Sequence, residues 1–286
     1  MLVIVGCLIV IGSVLGGFTI AGGHIHALIH PSELLTIGGA ALGALIIMSP
    51  MKVLKDLIHG ILMTLKGSPF NKAAYEELLK LMYHLLRVAR RDGMLALEAH
   101  LRDPHASDIF QRYPRIANNH HASTFICGML TPLMDGSISP ERLAELAAVE
   151  LRAMEDEHHA PLNVLSKTAD GLPGFGIVAA VLGIVITMGA IDGPVEEIGH
   201  KVGAALVGTF LGILMSYGFL APLAVNLEFL GVSELAFFRT IAKIVDGFAQ
   251  SLPPKVVIEV ARRGLPSEMR FTEEELEALF KAVETS

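Results

Sequence analysis

The sequence predicts an all-α integral membrane protein with four transmembrane helices, a large helical cytoplasmic loop and a cytoplasmic C-terminal tail. Hydrophobic residues make up 52% of the chain and charged residues 18%, which is a more apolar composition than that of a soluble domain. Several uncharged runs reach the roughly 20 helical residues that are needed to cross a bilayer core of about 30 Å. No segment has the alternating pattern that is typical of a strand.

Four apolar segments are the predicted spans, and they pair into two hairpins. The spans and hairpins are residues 1–21 and 34–49 within 1–50, and residues 172–191 and 202–227 within 171–228. No Lys or Arg precedes Lys52, so the first segment lacks the basic region of a secretory signal and is expected to remain uncleaved. Two glycine pairs at GxxxG spacing, Gly12 with Gly16 and Gly39 with Gly43, allow close helix packing.

The distribution of basic residues predicts the orientation of the chain. The loop of residues 24–33 has no Lys or Arg, and the turn after Ile191 has only Lys201, at its far edge. All other basic residues lie in residues 51–167 or after Ser233. By the positive-inside rule, both long polar segments and both termini are expected in the cytoplasm.

The two polar segments are predicted to be helical. They form a cytoplasmic domain over residues 51–170 and a tail over residues 229–286. The predicted helices are an amphipathic one at 51–66, then 73–91, 139–159, 233–249 and 272–283.

Two prolines mark the second hairpin. Pro173 is expected at the start of the third span, where a missing N–H is tolerated, and Pro222 lies inside the fourth, where it should kink the helix. No span has an ionisable side chain in its core, so the carboxylate for any ion flow would have to come from another chain. Hydroxyl groups are present there instead and either line a hydrated path or bond their own helices: Ser13, Thr19, Thr187, Thr209, Ser216 and Tyr217.

Several function classes are disfavoured. A formal net charge of −7 argues against nucleic-acid binding, and no nucleophile elbow, phosphate loop or dinucleotide motif indicates an enzyme. Cys7 and Cys127 are too far apart for a zinc spacing and indicate no disulfide framework. The histidines of the first outer loop, His24, His26 and His30, lack an acidic or thiol ligand, so we expect interfacial polar residues rather than a metal site.

Three motifs carry a family resemblance that covers nearly the whole chain. They are Arg-Arg-Asp-Gly at 90–93 with Leu97-Glu98, Leu-Pro-Gly-Phe-Gly at 172–176, and Tyr217-Gly218 with Ala221-Pro222. With four spans and a large second loop, the chain resembles the MotA family of flagellar motor stator proteins. The resemblance implies that several copies surround the spans of a MotB dimer, which anchors to peptidoglycan and supplies the proton-carrying aspartate.

The resemblance also implies residue roles. Pro173 and Pro222 would couple ion flow to conformational change, in an ion pathway that includes Ala180, Thr187, Thr209 and Tyr217. Arg90 and Glu98, in one cluster with Arg87 and Arg91, would contact the rotor protein FliG. Sodium-driven relatives have a threonine where this chain has Ala180, so the resemblance favours protons, and no cofactor is implied.

Alternatives remain open at the level of sequence. An ExbB- or TolQ-like energiser shares the two-span core but has three spans, and a sodium-driven stator differs at the position of Ala180. A static membrane scaffold or an autonomous channel would have a different function altogether.

Overall fold

The regular structure of the chain is entirely helical in the part that the structure describes. The computed structural model describes residues 2–189 and 191–285. Met1, Ala190 and Ser286, which belong to the predicted first span, third span and tail, lie outside the described residues. The predicted all-α membrane fold is confirmed.

Thirteen α-helices, joined by short turns, follow one another in the described chain. They are α1 (Leu2–Ile20), α2 (Pro31–Met48), α3 (Met51–Lys66), α4 (Lys72–Asp92), α5 (Glu98–Arg102), α6 (Asp108–Gln111), α7 (Pro114–Ala117), α8 (His120–Met134), α9 (Pro140–Met188), α10 (Val195–Ile213), α11 (Ala221–Ala249), α12 (Pro254–Arg263) and α13 (Glu273–Glu284). A π-helical segment, Leu214–Leu220, joins α10 to α11 without a break. Short 3₁₀ turns lie at Ile25–Leu28, Met94–Leu97 and Ser267–Met269.

Four helical stretches are long and apolar enough to cross a membrane, in agreement with the four predicted spans. They are Leu2–Ile20, Ile25–Met48, Pro140–Met188 and Val195–Ala249. The last two extend far beyond the predicted spans. The helix that was predicted to end near His159 is one 49-residue helix, α9, because neither Pro161 nor Pro173 interrupts it. Likewise, the helix predicted at 233–249 is the second half of α11.

The chain forms two compact units. We call Met1–Gly67 with Glu157–Leu230 the membrane unit, and Ser68–Asp156 with Gly231–Ser286 the loop-and-tail unit. The membrane unit therefore includes α3 and the segment from Glu157, which the sequence had grouped with the cytoplasmic domain. Helices α9 and α11 each contribute to both units.

The membrane unit is held together by small apolar contacts. Ile37 and Ala41 of α2 pack with Leu172 and Ala179 of α9 in one buried cluster. A second cluster packs the inner face of α3 against α9 and α11 through Leu57, Leu165, Ala224, Leu227 and Leu230. Most other large apolar side chains of this unit are exposed, as expected for helices that face lipid or partner chains.

The loop-and-tail unit has an aromatic core. The ring of Tyr75 on α4 lies 5.1 Å from that of Phe237 on α11, and Phe125 on α8 lies 5.2 Å from Phe238. The last helix of this unit is α13, and Thr272 and Glu275 form a capping box at its start. The C-terminal segment is therefore an integral part of a folded unit.

Candidate functional site

Helices α9 and α10 approach each other so closely that only glycine fits at their contact. A Cβ atom at Gly176 would lie 2.9 Å from the carbonyl oxygen of Gly208, and one at Gly212 would lie 2.7 Å from that of Leu172. Gly208 and Gly212 have the GxxxG spacing that lets membrane helices meet. The pairs singled out in the sequence, Gly12 with Gly16 and Gly39 with Gly43, have open space at their Cβ positions.

Two predicted pathway residues lie at this contact. The Cα atom of Thr209 is 3.3 Å from the Cβ position of Gly176, and the amide nitrogen of Ala180 is 3.4 Å from that of Gly208. Both residues are partly buried within the chain. The structure thus brings Ala180 and Thr209 to the same helix–helix contact.

Pro173 lies inside α9, so its predicted position at a helix start is wrong. A proline in a helix leaves the carbonyl group four residues earlier without its usual donor, and here that carbonyl belongs to Ala169. The hydroxyl group of Ser216 donates a hydrogen bond of 2.6 Å to the Ala169 oxygen. The helix continues through the proline because a side chain of the neighbouring helix replaces the missing donor.

Ser216 belongs to the π-helical segment that precedes Pro222. The backbone N–H of Ala221 donates to the carbonyl oxygen of Ser216, five residues earlier. Segments of this kind are rare and are often found at functional sites. Ser216 is buried at 1% exposure and is joined to Pro173 through Ala169 and to Pro222 through the π-helical turn. We call Pro173, Ala169, Ser216 and the segment Leu214–Leu220 the proline–serine link.

The other hydroxyl groups have different surroundings. Thr187 donates to Gly183 and Thr19 to Leu15, so both bond carbonyl groups of their own helices. Tyr217 is 66% exposed, and Pro222 is also exposed on the surface of the chain. These two side chains are therefore available to lipid or to a partner helix.

Removing the Ser216 hydroxyl should loosen the link. Ser216→Ala leaves the Ala169 oxygen without a donor, and we expect a loss of about 1–2 kcal/mol of stability and a lower swimming speed. Thr168→Val is the control, because the Thr168 hydroxyl group bonds the Val164 carbonyl oxygen of its own helix and Thr168 has no predicted place in the ion pathway. Thermal unfolding in detergent and swimming speed measure the two effects; equal behaviour of both variants would contradict the assigned role of Ser216.

The residues predicted to contact the rotor lie on the surface of the loop-and-tail unit. Arg90 and Glu98 are exposed and have no ion-pair partner among the described residues. Gly93, at φ +90°, turns the chain between them, and Leu95 in this turn is 75% exposed. Leu95 was missed in the sequence; an isolated apolar residue in a charged turn was the only available signal. Arg90, Leu95 and Glu98 form what we call the charged turn.

Arg91 and Arg87 are bonded within the chain. Arg91 forms an exposed ion pair of 2.8 Å with Asp92, and its hydrogen bonds hold the pKa of Asp92 below the ordinary value. The Arg87 guanidinium group donates to the carbonyl oxygen of Val283 on α13 at 3.3 Å. Arg87 thus ties α4 to the C-terminal helix, whereas Arg90 and Glu98 have free charges.

Charge reversal in the charged turn should affect function without affecting folding. For Arg90→Glu and Glu98→Lys we expect strongly reduced swimming and a change of less than about 0.5 kcal/mol in stability, because both groups are exposed and unpaired. Arg142→Glu, also an exposed position of the same unit, is the control. If a variant with both Arg90→Glu and Glu98→Lys swims normally at normal protein level, the charged turn does not contact the rotor.

We expect His84 on α4 to make the loop-and-tail unit sensitive to acid. Burial lowers the pKa of His84, and the charges of Arg112 and Arg87 lower it further; Asp108 opposes this effect and His100 adds to it. Its Nδ1 atom is buried without a hydrogen-bond partner in the described part of the chain. The neutral ring is therefore the form that the folded state prefers.

The resulting pH dependence has a defined sign. A histidine whose pKa is lower in the folded than in the unfolded state contributes stability above the unfolded value of about 6.5, and this contribution is lost as the pH falls through the folded value. We expect the unfolding temperature to decrease below about pH 6.5 and this decrease to be smaller in His84→Gln. Thermal scans between neutral and acidic pH measure this difference, with His105→Gln, at an exposed histidine, as the control. If the unfolding temperature changes equally with pH in the unmodified protein, His84→Gln and His105→Gln, the assigned role of His84 is wrong.

No group of three or more His, Cys, Asp or Glu side chains that could hold a metal ion is found among residues 2–189 and 191–285. His30, one of the three histidines of the first outer loop, contacts the carbonyl oxygen of Ala27 through its Nε2 atom at 3.1 Å.

Two family models match the chain in succession. The model described as Motility protein A N-terminal matches residues 4–93, and the model of the MotA/TolQ/ExbB proton channel family matches residues 117–228. The first covers α1, α2 and the charged-turn residue Arg90, and the second covers the proline–serine link.

Named relatives extend the match over the full length. Motility protein A of Salmonella typhimurium is 37% identical over 99% of this chain and 96% of its own, and chemotaxis protein LafT of Vibrio parahaemolyticus is 37% identical over 95% of both. Among solved structures, the flagellar MotAB stator complex from Bacillus subtilis matches with a TM-score of 0.74 and 26% identity, covering 93% of this chain and 96% of that one. MotAB of C. jejuni, 22% identical, has the same fold with a TM-score of 0.77 over 95% and 98% of the two chains.

These matches agree with the resemblance carried by the three sequence motifs. They favour the four-span architecture over the three-span alternative, because the N-terminal hairpin has its own family match. The chain belongs to the Motility protein A group of the MotA/TolQ/ExbB proton channel family.

Proposed function

We propose that this chain is the membrane stator subunit of a flagellar motor: with a MotB partner it forms a proton-conducting complex and converts proton flow into torque on the rotor protein FliG. The observation that carries the proposal is the proline–serine link. It joins α9 to the π-helical segment between α10 and α11, and both have non-standard backbone hydrogen bonding at this point.

The partner is proposed to supply the main proton-carrying carboxylate. The cores of the predicted spans hold no ionisable group, whereas proton paths through membranes usually contain one. The solved Bacillus subtilis structure is a flagellar MotAB stator complex, which supports MotB as this partner. The family resemblance favours several copies of the present chain around it. The exposed Tyr217 and Pro222 are suitable for contact with the partner's span.

Proton binding to the partner's carboxylate would remove a costly charge and change how that span packs on α9 and α10. The glycine contact is tight, so a small shift of one helix must move the other or break the Ser216–Ala169 hydrogen bond. Because α9 and α11 continue without a break into the loop-and-tail unit, such a shift would reach the charged turn. A proton that falls through about 100 mV supplies roughly 2.3 kcal/mol from the potential, so the steps must be small and repeated.

Protons are the proposed ion. Ala180, at the α9–α10 contact, offers no oxygen ligand from its side chain, and a dehydrated sodium ion needs several. The proton channel description of the matching family is consistent with this choice. A sodium-driven stator remains the second candidate because Thr209, whose Cα atom lies at the same contact, has a hydroxyl group.

The four apolar helices and the matching family support the bacterial inner membrane as the location. The basic residues support an orientation with both termini and the loop-and-tail unit in the cytoplasm. In this orientation Arg90, Leu95 and Glu98 face the compartment of the rotor. Their free charges can set the partner and its orientation.

Proton flux into vesicles tests the conducting complex directly. We expect proton flux into vesicles that contain the chain with its MotB partner and no flux into vesicles that contain the chain alone. The control is a partner variant in which the membrane aspartate is replaced by asparagine, and we expect no flux with this variant. Flux from the chain alone would indicate an autonomous channel, and no flux from the intact complex would indicate a scaffold.

A further inference from the structure

One acidic side chain is buried in the membrane unit, although the sequence placed it in the first outer loop. Glu33 lies in the first turn of α2 and is 8% exposed. Its Oε2 atom is inaccessible and has no hydrogen-bond partner in the described part of the chain. A buried carboxyl oxygen without a partner is uncommon and calls for a physical explanation.

The carboxyl group reaches the same helix contact as the predicted ion pathway. Its Oε2 atom is 2.9 Å from the position that a Cβ atom would occupy at Gly208 on α10. Ala179 Cβ and the Ala180 amide nitrogen lie 3.1 and 3.4 Å from that same position. Glycine at 208 therefore leaves the space into which the carboxyl group fits.

The residues that share this space with Glu33 are uncharged. They are Gly208 on α10 and Ala179 and Ala180 on α9, and none of the three has an ionisable side chain. His30, at the N-cap of α2, is the titratable residue beside it. An ionised carboxylate in such surroundings is costly, so Glu33 is expected to be neutral until it meets water or a proton acceptor.

Along α9, the position lies between the end of the helix at Met188 and the proline–serine link. Ala180 is about 12 Å before the end of α9 at Met188, at a rise of roughly 1.5 Å per residue. The turn that holds His24–His30 precedes Glu33 directly in the chain, so the carboxyl group lies next to the segment that is predicted to be outside the membrane. The link, at Pro173 and Ser216, lies farther along the same two helices.

We propose that Glu33 is a proton-binding site of this chain, placed between the outer turns and the α9–α10 contact. A proton from water on the side of the α1–α2 turn forms an O–H bond with the carboxylate of Glu33. On release that O–H bond breaks, and the proton passes to a carboxylate of the partner chain. The inference rests on the proposed function, since it gives the outer part of the same proton path.

The proton on Glu33 can be observed without any flux. The complex of this chain with its partner is reconstituted in lipid, and the infrared carbonyl band of protonated carboxylic acids is followed as the pH is varied. We expect a pH-dependent band that is absent in Glu33→Gln. A spectrum that is the same in Glu33→Gln and in the unmodified complex at every pH would overturn the inference, whether or not the complex conducts protons.

Proton flux is the second measurement that tests the role of Glu33. Glu33→Gln keeps the shape of the side chain but cannot exchange a proton, and we expect flux to fall at least about tenfold at equal yield of complex. Unchanged flux in Glu33→Gln, with normal flux in the unmodified complex, would overturn the role of Glu33 and leave the proposed function intact. No flux in the unmodified complex would contradict the proposed function, and the infrared band would still decide the question of proton binding.

A matched pair of variants tests the location of the proton without relying on the folding of Glu33→Gln. Gly208→Ala places a methyl group 2.9 Å from Oε2, whereas Gly203→Ala on the same helix has open space. We expect Gly208→Ala to shift the pH midpoint of the Glu33 band and Gly203→Ala to leave it unchanged. The same midpoint in both variants would contradict the proposed location of the proton.

Discussion

We expect Pro173→Ala to abolish swimming while the protein still inserts and assembles at its normal level. Alanine restores an N–H group at residue 173, which can bond the Ala169 oxygen within α9 and compete with the Ser216 hydroxyl. The helix gains regularity, so stability should rise by up to about 3 kcal/mol, while the link between α9 and the π-helical segment weakens. Swimming speed and thermal unfolding in detergent are the two measurements.

Pro161→Ala is the matched control, since it makes the same change in the same helix, twelve residues earlier. We expect it to swim. If Pro173→Ala swims as fast as the unmodified strain, the assigned coupling role of Pro173 is wrong. If both variants stop swimming, the prolines act on helix α9 as a whole rather than through Ser216.

A larger side chain at Gly212 should prevent the membrane unit from forming. A Cβ atom there would lie 2.7 Å from the carbonyl oxygen of Leu172 and 2.9 Å from the Cα atom of Gly176. Both neighbours are backbone atoms, so Gly212→Val must push α9 and α10 apart, at a cost of at least about 3 kcal/mol. We expect little protein in the membrane, no complex with the partner and no swimming.

Gly203→Val, on the same helix, tests the specificity of that result. No atom lies within 4 Å of a Cβ at Gly203, so we expect normal yield and swimming. Quantification of the protein in membranes and co-purification with the partner measure both variants. Normal assembly of Gly212→Val would show that the α9–α10 contact is not required in the working complex.

The features that depend on local composition could be predicted from the sequence. Uncharged runs predicted four spans, and the amphipathic pattern over residues 272–283 predicted the last helix, because these depend on residues within one segment. The motifs around Arg90, Pro173 and Pro222 indicated the family, which the full-length relatives support. The exposure of Arg90 and Glu98 also agrees with their assignment to a surface.

Features that depend on distant residues could not be predicted. Pro173 was placed at a helix start because a proline favours that position; the donor that lets the helix continue is Ser216, far along the chain. Glu33 directly precedes an apolar run and was assigned to the loop before it, but Gly208 makes room for its carboxyl group. The spacing of glycines also does not show which glycine pair forms a helix contact, because the contact depends on which helix packs against the pair.

Swimming speed in a strain that lacks its own copy of this gene tests the central claim most directly. The chain is supplied with and without its MotB partner, while external sodium and a protonophore are varied separately. We predict that swimming requires the partner, is independent of sodium and stops when the protonophore is added. Speed that follows sodium and withstands the protonophore would contradict a proton-driven stator.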